Sequence, residues 1–240
     1  MLSEQRWKLE SLLRLITGVL LCVFLGAALM AFMQMVFKSD EDYPVWRIVA
    51  AAVCFQGATL VLVHLFLREH GLSWAEGFGF SNQWGRALLL GVLVALVFLP
   101  VGVGLQWASA QLMTRVHVEP VEQQAVQTLR VSASWLSRAL LAVVAIGLAP
   151  VAEEVLFRGI LYPAIKQAGF RHLALWGTSG LFAVIHGNVA TLLPLLVLSV
   201  ALTVLYERTN NLLAPIVAHA CFNAMNFLRL FLGEWLGGGL

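Results

Sequence analysis

The chain has 240 residues, of which 60% are hydrophobic and 12% are charged, and its formal net charge is +2. This composition excludes an ordinary soluble globular domain, and the low net charge, without a Lys/Arg cluster, argues against a nucleic-acid partner. We predict an all-α, polytopic integral membrane helical bundle that forms a single membrane domain over residues 1–240. The three cysteines each lie alone in an apolar run, which predicts free packing residues.

Apolar runs of about 20 residues, the length that crosses a bilayer, predict seven membrane spans. The first run is longer than the apolar core of a signal peptide, so we expect it to remain as an anchor. A small excess of Lys and Arg in the segments on the side of the N-terminus predicts that this terminus is cytoplasmic. The predicted spans are residues 14–37, 48–67, 87–113, 137–165, 172–188, 190–206 and 212–232.

Two connections between these spans are long enough to have structure of their own. Residues 68–86 combine tryptophans with glycines, which is typical of an interfacial turn with aromatic anchors. In residues 114–136, apolar residues follow Pro120 at helical spacing and predict a short amphipathic helix on the membrane. We expect a plain surface helix there; the alternative is a gate over the core.

The fourth span carries three charged residues, Glu153, Glu154 and Arg158, in an otherwise apolar run. An ionisable group near the bilayer centre costs about 2.5–3.5 kcal/mol, so these residues need internal partners or a water-filled cavity. Glu154 and Arg158 are four residues apart and are expected to pair, whereas Glu153 points about 100° away and becomes the candidate general base. Pro150 is expected to kink or loosen the helix near the acids.

Polar residues of a complementary kind occur in the fifth and seventh spans. His186 ends the fifth, and His219 and Asn223 share a face of the seventh. At about 1.5 Å per residue, Glu153 and His186 lie about 20 Å from the cytoplasmic end and His219 about 10 Å. We therefore predict a mid-membrane cavity, open toward the cytoplasm, where these groups converge. Each residue alone has a structural explanation, but four of them in three spans predict a functional site.

Other classes of intramembrane protease fit the sequence less well. The only two aspartates lie in a loop, which excludes a paired-aspartate protease, and no His-Glu-x-x-His zinc motif occurs. Gly177-Thr178-Ser179-Gly180 is similar to the rhomboid serine motif, with His219 as the conceivable base. That interpretation leaves Glu153 without a role, so we expect Ser179 to be a small packing residue.

Three motifs, in this order in separate spans, closely resemble those of the CPBP family, which comprises type II CAAX prenyl endopeptidases and bacterial Abi self-immunity proteins. They are Glu153-Glu154-x-x-x-Arg158, Phe182-x-x-x-His186 and His219-x-x-x-Asn223. The resemblance covers about residues 137–227, which we take as the catalytic core. It implies an intramembrane endopeptidase that uses no covalent nucleophile.

The resemblance also implies a role for each residue. Glu153, with His186, would activate a water molecule to attack the scissile carbonyl. His219 and Asn223 would stabilise the oxyanion. These roles need no cofactor, which is the interpretation we favour.

The remaining motif residues and the alternative cofactor follow from the same resemblance. Glu154 with Arg158 would hold the site together. Glu153, His186 and His219 can equally form a three-ligand zinc site with one open position. Metal dependence therefore stays open at this stage.

The expected partners are the bilayer and a membrane-associated peptide. The eukaryotic branch of the family implies a prenylated Cys-a-a-X C-terminus, while the short chain equally fits the bacterial branch, a bacterial cytoplasmic membrane and an unprenylated substrate. A bacteriocin-processing or self-immunity peptidase on the same residues is one alternative. A non-catalytic scaffold or transporter subunit is the other.

Overall fold

The computed structural model describes residues 7–37, 45–131 and 134–235, and within these residues all regular secondary structure is helical. The predicted all-α fold is confirmed. The helices, in chain order, are α1 (Leu9–Phe37), α2 (Val45–Ala52), α3 (Ala58–Glu69), α4 (Trp74–Phe78), α5 (Trp84–Arg115), α6 (Gln124–Val131), α7 (Trp135–Ala142), α8 (Ala149–Glu154), α9 (Tyr162–Gln167), α10 (Arg171–Ile185), α11 (Val189–Thr209) and α12 (Leu213–Trp235). Three π-helical segments join some of them: Val53–Gly57, Val143–Leu148 and Val155–Leu161.

Among the described residues, five helical stretches are long and apolar enough to cross a membrane. They are Leu9–Val36, Val49–Glu69, Trp84–Arg115, Trp135–Gln167 and Val189–Thr209, and they match five of the predicted spans. The other two predicted spans are helices α10 and α12, of 15 and 23 residues. Since α10 is only about 22 Å long against a hydrocarbon core of about 30 Å, the count of seven stays a prediction.

Hydrogen bonds between segments that are far apart in the sequence show which helix ends lie at the same face of the bundle. At one face, Arg14 near the start of α1 contacts Glu69 at the end of α3 at 2.5 Å. The backbone N–H of Leu212, just before α12, donates to the Phe78 carbonyl at the end of α4 at 3.0 Å. We call this end of the bundle the N-terminal face.

The opposite face carries the connection from α5 to α7 and the turn from α10 to α11. Helix α6 lies within the predicted amphipathic stretch and is preceded by irregular residues 118–123. The Asn188 side chain of the α10–α11 turn donates to the Val121 carbonyl at 2.8 Å. The connection is therefore fastened to the turn that follows His186.

Helix α12 packs closely against α5 because small residues on α5 leave room for it. A Cβ atom at Gly91 would lie 2.7 Å from the backbone oxygen of Ala214, and one at Gly102 would lie 3.1 Å from the Phe222 ring. Side chains larger than hydrogen cannot be accommodated at Gly91 without moving α12. Because α12 carries His219 and Asn223, this contact sets the position of half the candidate site.

The fourth span alternates between α-helical and π-helical turns around its prolines. Pro150 lies at the start of α8, directly after the π-helical segment Val143–Leu148, so the expected loosening of this helix is confirmed. A π-helical turn pairs each N–H with the carbonyl five residues earlier, and proline has no N–H. The carbonyl of Ala145 is therefore left without its helical donor.

We expect Gly91→Ala to lower the thermal unfolding midpoint in detergent, because the added methyl group meets a backbone atom that cannot rotate away. Gly104→Ala, in the same helix, is the matched control, since a Cβ at Gly104 meets nothing within 4 Å. Alanine is favoured over glycine in helices by about 1 kcal/mol, so the control should keep or raise the midpoint. Equal shifts for the two variants would contradict this account of the α5–α12 contact.

Candidate active site

Glu153, at the end of α8, lies where three helices meet. Its Oε2 atom is 4.0 Å from Nε2 of His186, at the end of α10, and 4.0 Å from Nε2 of His219, in α12. The Glu153 residue is 8% exposed, and its Oε2 has no hydrogen-bond partner among the described residues. The predicted convergence of these three residues is confirmed.

His186 is held in one tautomer by the backbone of its own helix. Its Nδ1 lies 2.7 Å from the carbonyl oxygen of Phe182. A carbonyl only accepts hydrogen bonds, so Nδ1 carries the hydrogen, and Nε2 of the neutral ring is an acceptor that faces Glu153. The chain turns away directly afterwards at Gly187, whose φ of +62° is a conformation that glycine adopts readily.

Glu154 orients the His219 ring so that its Nε2, like that of His186, faces Glu153. Its Nδ1 lies 2.8 Å from Oε1 of Glu154, in a buried contact. An ionised carboxylate accepts only, so Nδ1 donates and Nε2 turns toward Glu153. Two imidazole Nε2 atoms, from different helices, are thus directed at the same carboxylate oxygen.

The predicted ion pair between Glu154 and Arg158 is confirmed. Nη1 of Arg158 lies 2.9 Å from Oε1 of Glu154, and the two side chains are 1% and 0% exposed. Glu154 Oε1 therefore accepts hydrogen bonds from both Arg158 and His219. The sequence predicted the first partner from the four-residue spacing, but it did not predict the second.

Helix α11 contributes two residues that the sequence analysis missed. Nη2 of Arg158 donates to the Ser199 hydroxyl at 2.6 Å and to its carbonyl at 3.0 Å, while Nε lies 3.4 Å from Oγ1 of Thr203. Both residues are buried. Ser199 and Thr203 are four residues apart on one face of an apolar span, and that spacing was the available signal.

Phe182 joins the charged and the imidazole parts of the site. Its ring is completely buried and lies 4.7 Å under the Arg158 guanidinium carbon. The same ring packs against His186 and His219, with centroids 4.8 and 5.7 Å apart. The phenylalanine of the Phe-x-x-x-His motif is thus a packing centre for both histidines, and its π face offsets part of the charge on Arg158.

Asn223 lies one turn beyond His219 and contacts the loosened part of the fourth span. Its Nδ2 donates to the Ala145 carbonyl at 2.8 Å. Pro150 leaves this carbonyl without a donor from the helix backbone. The Asn223 side chain supplies the missing hydrogen bond to the π-helical turn. Within the described part of the chain, its amide makes no hydrogen bond to Glu153 or His219.

A cavity of about 870 Å³ at the opposite face is lined by His186, whereas Glu153 and His219 are not among its lining residues. One wall is formed by the end of α5 and the connection that follows it, and the other by the α10–α11 turn, which includes His186. The cavity therefore opens on the face away from the N-terminus. The sequence analysis predicted an opening toward the cytoplasm, and the side of the membrane on which this face lies stays a prediction.

The spacing of the donor atoms bears on the zinc alternative. Ligand atoms bound at about 2.1 Å to a tetrahedral zinc ion lie about 3.4 Å apart, whereas Glu153 Oε2 is 4.0 Å from each histidine nitrogen. Among the described residues, no group of three or more His, Cys, Asp or Glu side chains is arranged to hold a metal ion. The residues as placed do not fit a tetrahedral zinc ion.

Ser179 does not form a rhomboid-like dyad. Its side chain is fully buried, and its hydroxyl makes no hydrogen bond in the described residues. His219, the conceivable base, is bonded to Glu154 instead. The expectation that Ser179 is a packing residue is therefore supported by its surroundings.

Comparisons with known proteins agree with the motifs. Residues 134–225, which include all three, match the family described as Type II CAAX prenyl endopeptidase Rce1-like. UPF0177 protein YaiF of Lactococcus lactis subsp. lactis (strain IL1403) is 28% identical over 152 residues, or 62% of this chain and 66% of the relative. UPF0177 protein YxdF of the same strain is 33% identical over 75 residues, or 31% of this chain and 41% of the relative. No solved structure matches the chain.

We expect Glu154→Ala and Arg158→Ala each to lower the free energy of unfolding by about 3–5 kcal/mol, because either change leaves a buried charge unpaired. Thermal unfolding in detergent, followed by circular dichroism, measures the loss. Glu10→Ala is the control, since it removes an exposed partner of Arg14 at the same four-residue spacing and should change little. Unchanged midpoints for both buried variants would refute the supporting role.

Proposed function

Because residues 134–225 match the Rce1-like family of type II CAAX prenyl endopeptidases, we propose that this chain is an intramembrane endopeptidase in which Glu153 activates the attacking water. The observation that carries the proposal is the convergence of two histidine Nε2 atoms on Glu153 Oε2. A carboxylate in an apolar cavity, beside two oriented imidazoles, is suited to general-base work near neutral pH.

The 4.0 Å separations leave room for the reacting water. A direct N–H···O hydrogen bond spans 2.7–3.2 Å, so a water molecule about 2.8 Å from each atom can bridge Glu153 and His186. One water hydrogen goes to the Glu153 carboxylate and the other to His186 Nε2. As the water oxygen attacks the scissile carbonyl carbon, Glu153 takes the proton and later delivers it to the departing amine nitrogen.

The oxyanion formed by this attack needs donors, and His219 and Asn223 can supply them. Nδ1 of His219 is bonded to Glu154, so Nε2 donates when the ring carries both hydrogens as an imidazolium. The Asn223 amide has two N–H groups, of which one is bonded to Ala145. The second is available to the oxyanion, in accord with the role that the family resemblance implies.

The remaining residues act by positioning. Glu154 fixes the His219 ring, Arg158 fixes Glu154, and Ser199 fixes Arg158. Glu154, Arg158 and Ser199 need not touch the substrate themselves. The substrate itself is proposed to be a membrane-associated peptide, with prenylated Cys-a-a-X C-termini and unprenylated membrane peptides as the two classes to compare.

We expect Glu153→Gln to lower peptide cleavage by about 10²–10⁴-fold while the protein stays folded, because the amide cannot take the proton from water. The assay uses purified protein in detergent, a farnesylated Cys-a-a-X peptide and an unprenylated peptide of the same sequence, with mass spectrometry of the products. Glu10→Gln, an exposed glutamate on α1, is the matched control. A parallel tube with a chelator tests the metal-free mechanism, which predicts unchanged turnover.

Release of the tripeptide that persists in Glu153→Gln would refute the general-base assignment. Cleavage of neither peptide by the wild-type protein would favour a non-catalytic scaffold or transporter role. Loss of turnover with the chelator, restored by zinc, would replace the metal-free mechanism by the zinc alternative.

We further expect Asn223→Ala to lower kcat by about 10²-fold with little change in KM, since it removes a donor that acts in the transition state. Steady-state kinetics on the cleaved peptide measure the two constants. Asn226→Ala is the control, because Asn226 donates to the carbonyl of Phe222 within its own helix. A rise in KM at unchanged kcat would instead assign Asn223 to substrate binding.

A further inference from the structure

Two arginines at the N-terminal face share one small depression of the surface. Arg86, in the first turn of α5, and Arg208, in the last turn of α11, both line this depression, which measures about 20 Å³. We propose that the pair binds the phosphate of an anionic phospholipid, whose acyl chains lie along the apolar faces of α5 and α11. The inference goes beyond the proposed function and does not depend on it.

The charge of the two arginines is not balanced by the protein. Within the described part of the chain, neither guanidinium forms an ion pair with a carboxylate. Arg86 donates to Oε1 of Gln83, a neutral acceptor, at 3.3 Å, and Arg208 makes no side-chain hydrogen bond to a described residue. Two like charges beside one depression repel each other. A phosphate group between them replaces this repulsion with charge-assisted hydrogen bonds.

The helix ends at the depression do not neutralise the arginines. Helix α5 begins here with the positive end of its dipole and α11 ends here with the negative end, so contributions of about half a charge each largely cancel. The two guanidinium charges therefore remain in excess. The Gln83 side chain does not cap α5, which leaves the first N–H groups of this helix as further donors to a phosphate oxygen.

The backbone on both sides of the depression is held in place by hydrogen bonds. The fully buried Asn211 side chain, just after α11, donates to the Asn82 carbonyl, just before α5, at 2.6 Å. Thr209, which lines the depression, donates through its hydroxyl to the Leu205 carbonyl at 2.8 Å. The segments that carry the arginines are thus positioned before a ligand binds, which lowers the entropy cost of binding.

The location of the depression favours a lipid over a free anion. Both α5 and α11 are long and apolar enough to span a membrane, so their ends lie at the depth of the lipid headgroups. Trp84, the first residue of α5, is 61% exposed, which is typical of the membrane–water interface. A volume of about 20 Å³ holds one or two water-sized groups, so a phosphate oxygen enters while the rest of the ligand stays outside.

The helix faces that lead away from the arginines are apolar and exposed. Leu93 and Val97 follow Arg86 on one face of α5, and Val204 precedes Arg208 on one face of α11. A phosphate bound to the two arginines therefore places the attached acyl chains along these side chains. Inorganic phosphate has no chain and gains only the polar contacts.

The test measures the dissociation constant of phosphatidylglycerol by native mass spectrometry of the full-length protein in a neutral detergent. Arg86→Gln and Arg208→Gln should each raise this constant about fivefold, and the double variant about 25-fold, because each arginine contributes separately to binding an anionic lipid. Arg68→Gln is the matched control, since Arg68 is an exposed arginine in the last turn of α3 at the same face. No rise in the double variant, or an equal rise in Arg68→Gln, would overturn the proposal.

Two further ligands separate the sources of the phosphate. Phosphatidylcholine has a phosphate and acyl chains but no net charge, and inorganic phosphate has charge but no chains. Each should bind roughly tenfold more weakly than phosphatidylglycerol, or weaker still. Equal affinity for phosphatidylcholine would overturn the role of the arginine charges. Displacement of phosphatidylglycerol by an equal concentration of inorganic phosphate would assign the site to a free anion and overturn the lipid.

These measurements are independent of peptide cleavage. Both arginines are exposed, so their variants should keep the thermal unfolding midpoint of the wild-type protein when no lipid is added. If the wild-type protein bound phosphatidylglycerol through the arginines but cleaved no peptide, only the proposed function would fail. If it cleaved the peptide and the double variant bound the lipid unchanged, only the lipid site would fail.

Discussion

The arrangement of the site depends on one buried oxygen atom, Oε1 of Glu154. It accepts a hydrogen bond from Arg158 in its own helical span and another from His219 in α12. Arg158 in turn donates to Ser199 in α11. A single carboxylate therefore links three spans through directional hydrogen bonds, which fix the relative positions of the helices more specifically than apolar contacts do. A charge this deeply buried is tolerated because each hydrogen-bonding neighbour is itself held by another. Removing it would release the histidine that faces Glu153.

The two adjacent glutamates thus have separate tasks, and the helix geometry is what separates them. Successive side chains on a helix diverge by about 100°, so Glu154 faces the arginine and α12 while Glu153 faces the space between the two histidines. Oε1 of Glu154 accepts two hydrogen bonds, from Arg158 and His219, whereas Oε2 of Glu153 accepts none among the described residues. One helical turn can therefore hold both Glu154, whose carboxylate supports the structure, and Glu153, whose carboxylate is not engaged in hydrogen bonds at Oε2.

Much of the fold and of the candidate site could be predicted from the sequence. The remaining features depend on which helix faces pack against each other. Hydropathy located the spans, the four-residue spacing predicted the Glu154–Arg158 pair, and the motifs predicted that Glu153 meets two histidines. Ser199 was missed because its role depends on which face of α11 meets the fourth span, and hydropathy does not give that. Hydropathy also did not give the walls of the cavity beside His186, because they come from the connection after α5 and the α10–α11 turn, and apolar runs do not show which connections meet.

The bond between Asn223 and Ala145 also makes two distant positions interdependent. The Ala145 carbonyl needs an outside donor only because residue 150 is a proline. Any residue other than proline at position 150 would offer its own N–H to that carbonyl and compete with Asn223. Loss of Asn223 would leave the carbonyl without a hydrogen-bond donor. Substitutions at positions 150 and 223 should therefore be epistatic, and selection would act on the pair as one inherited unit.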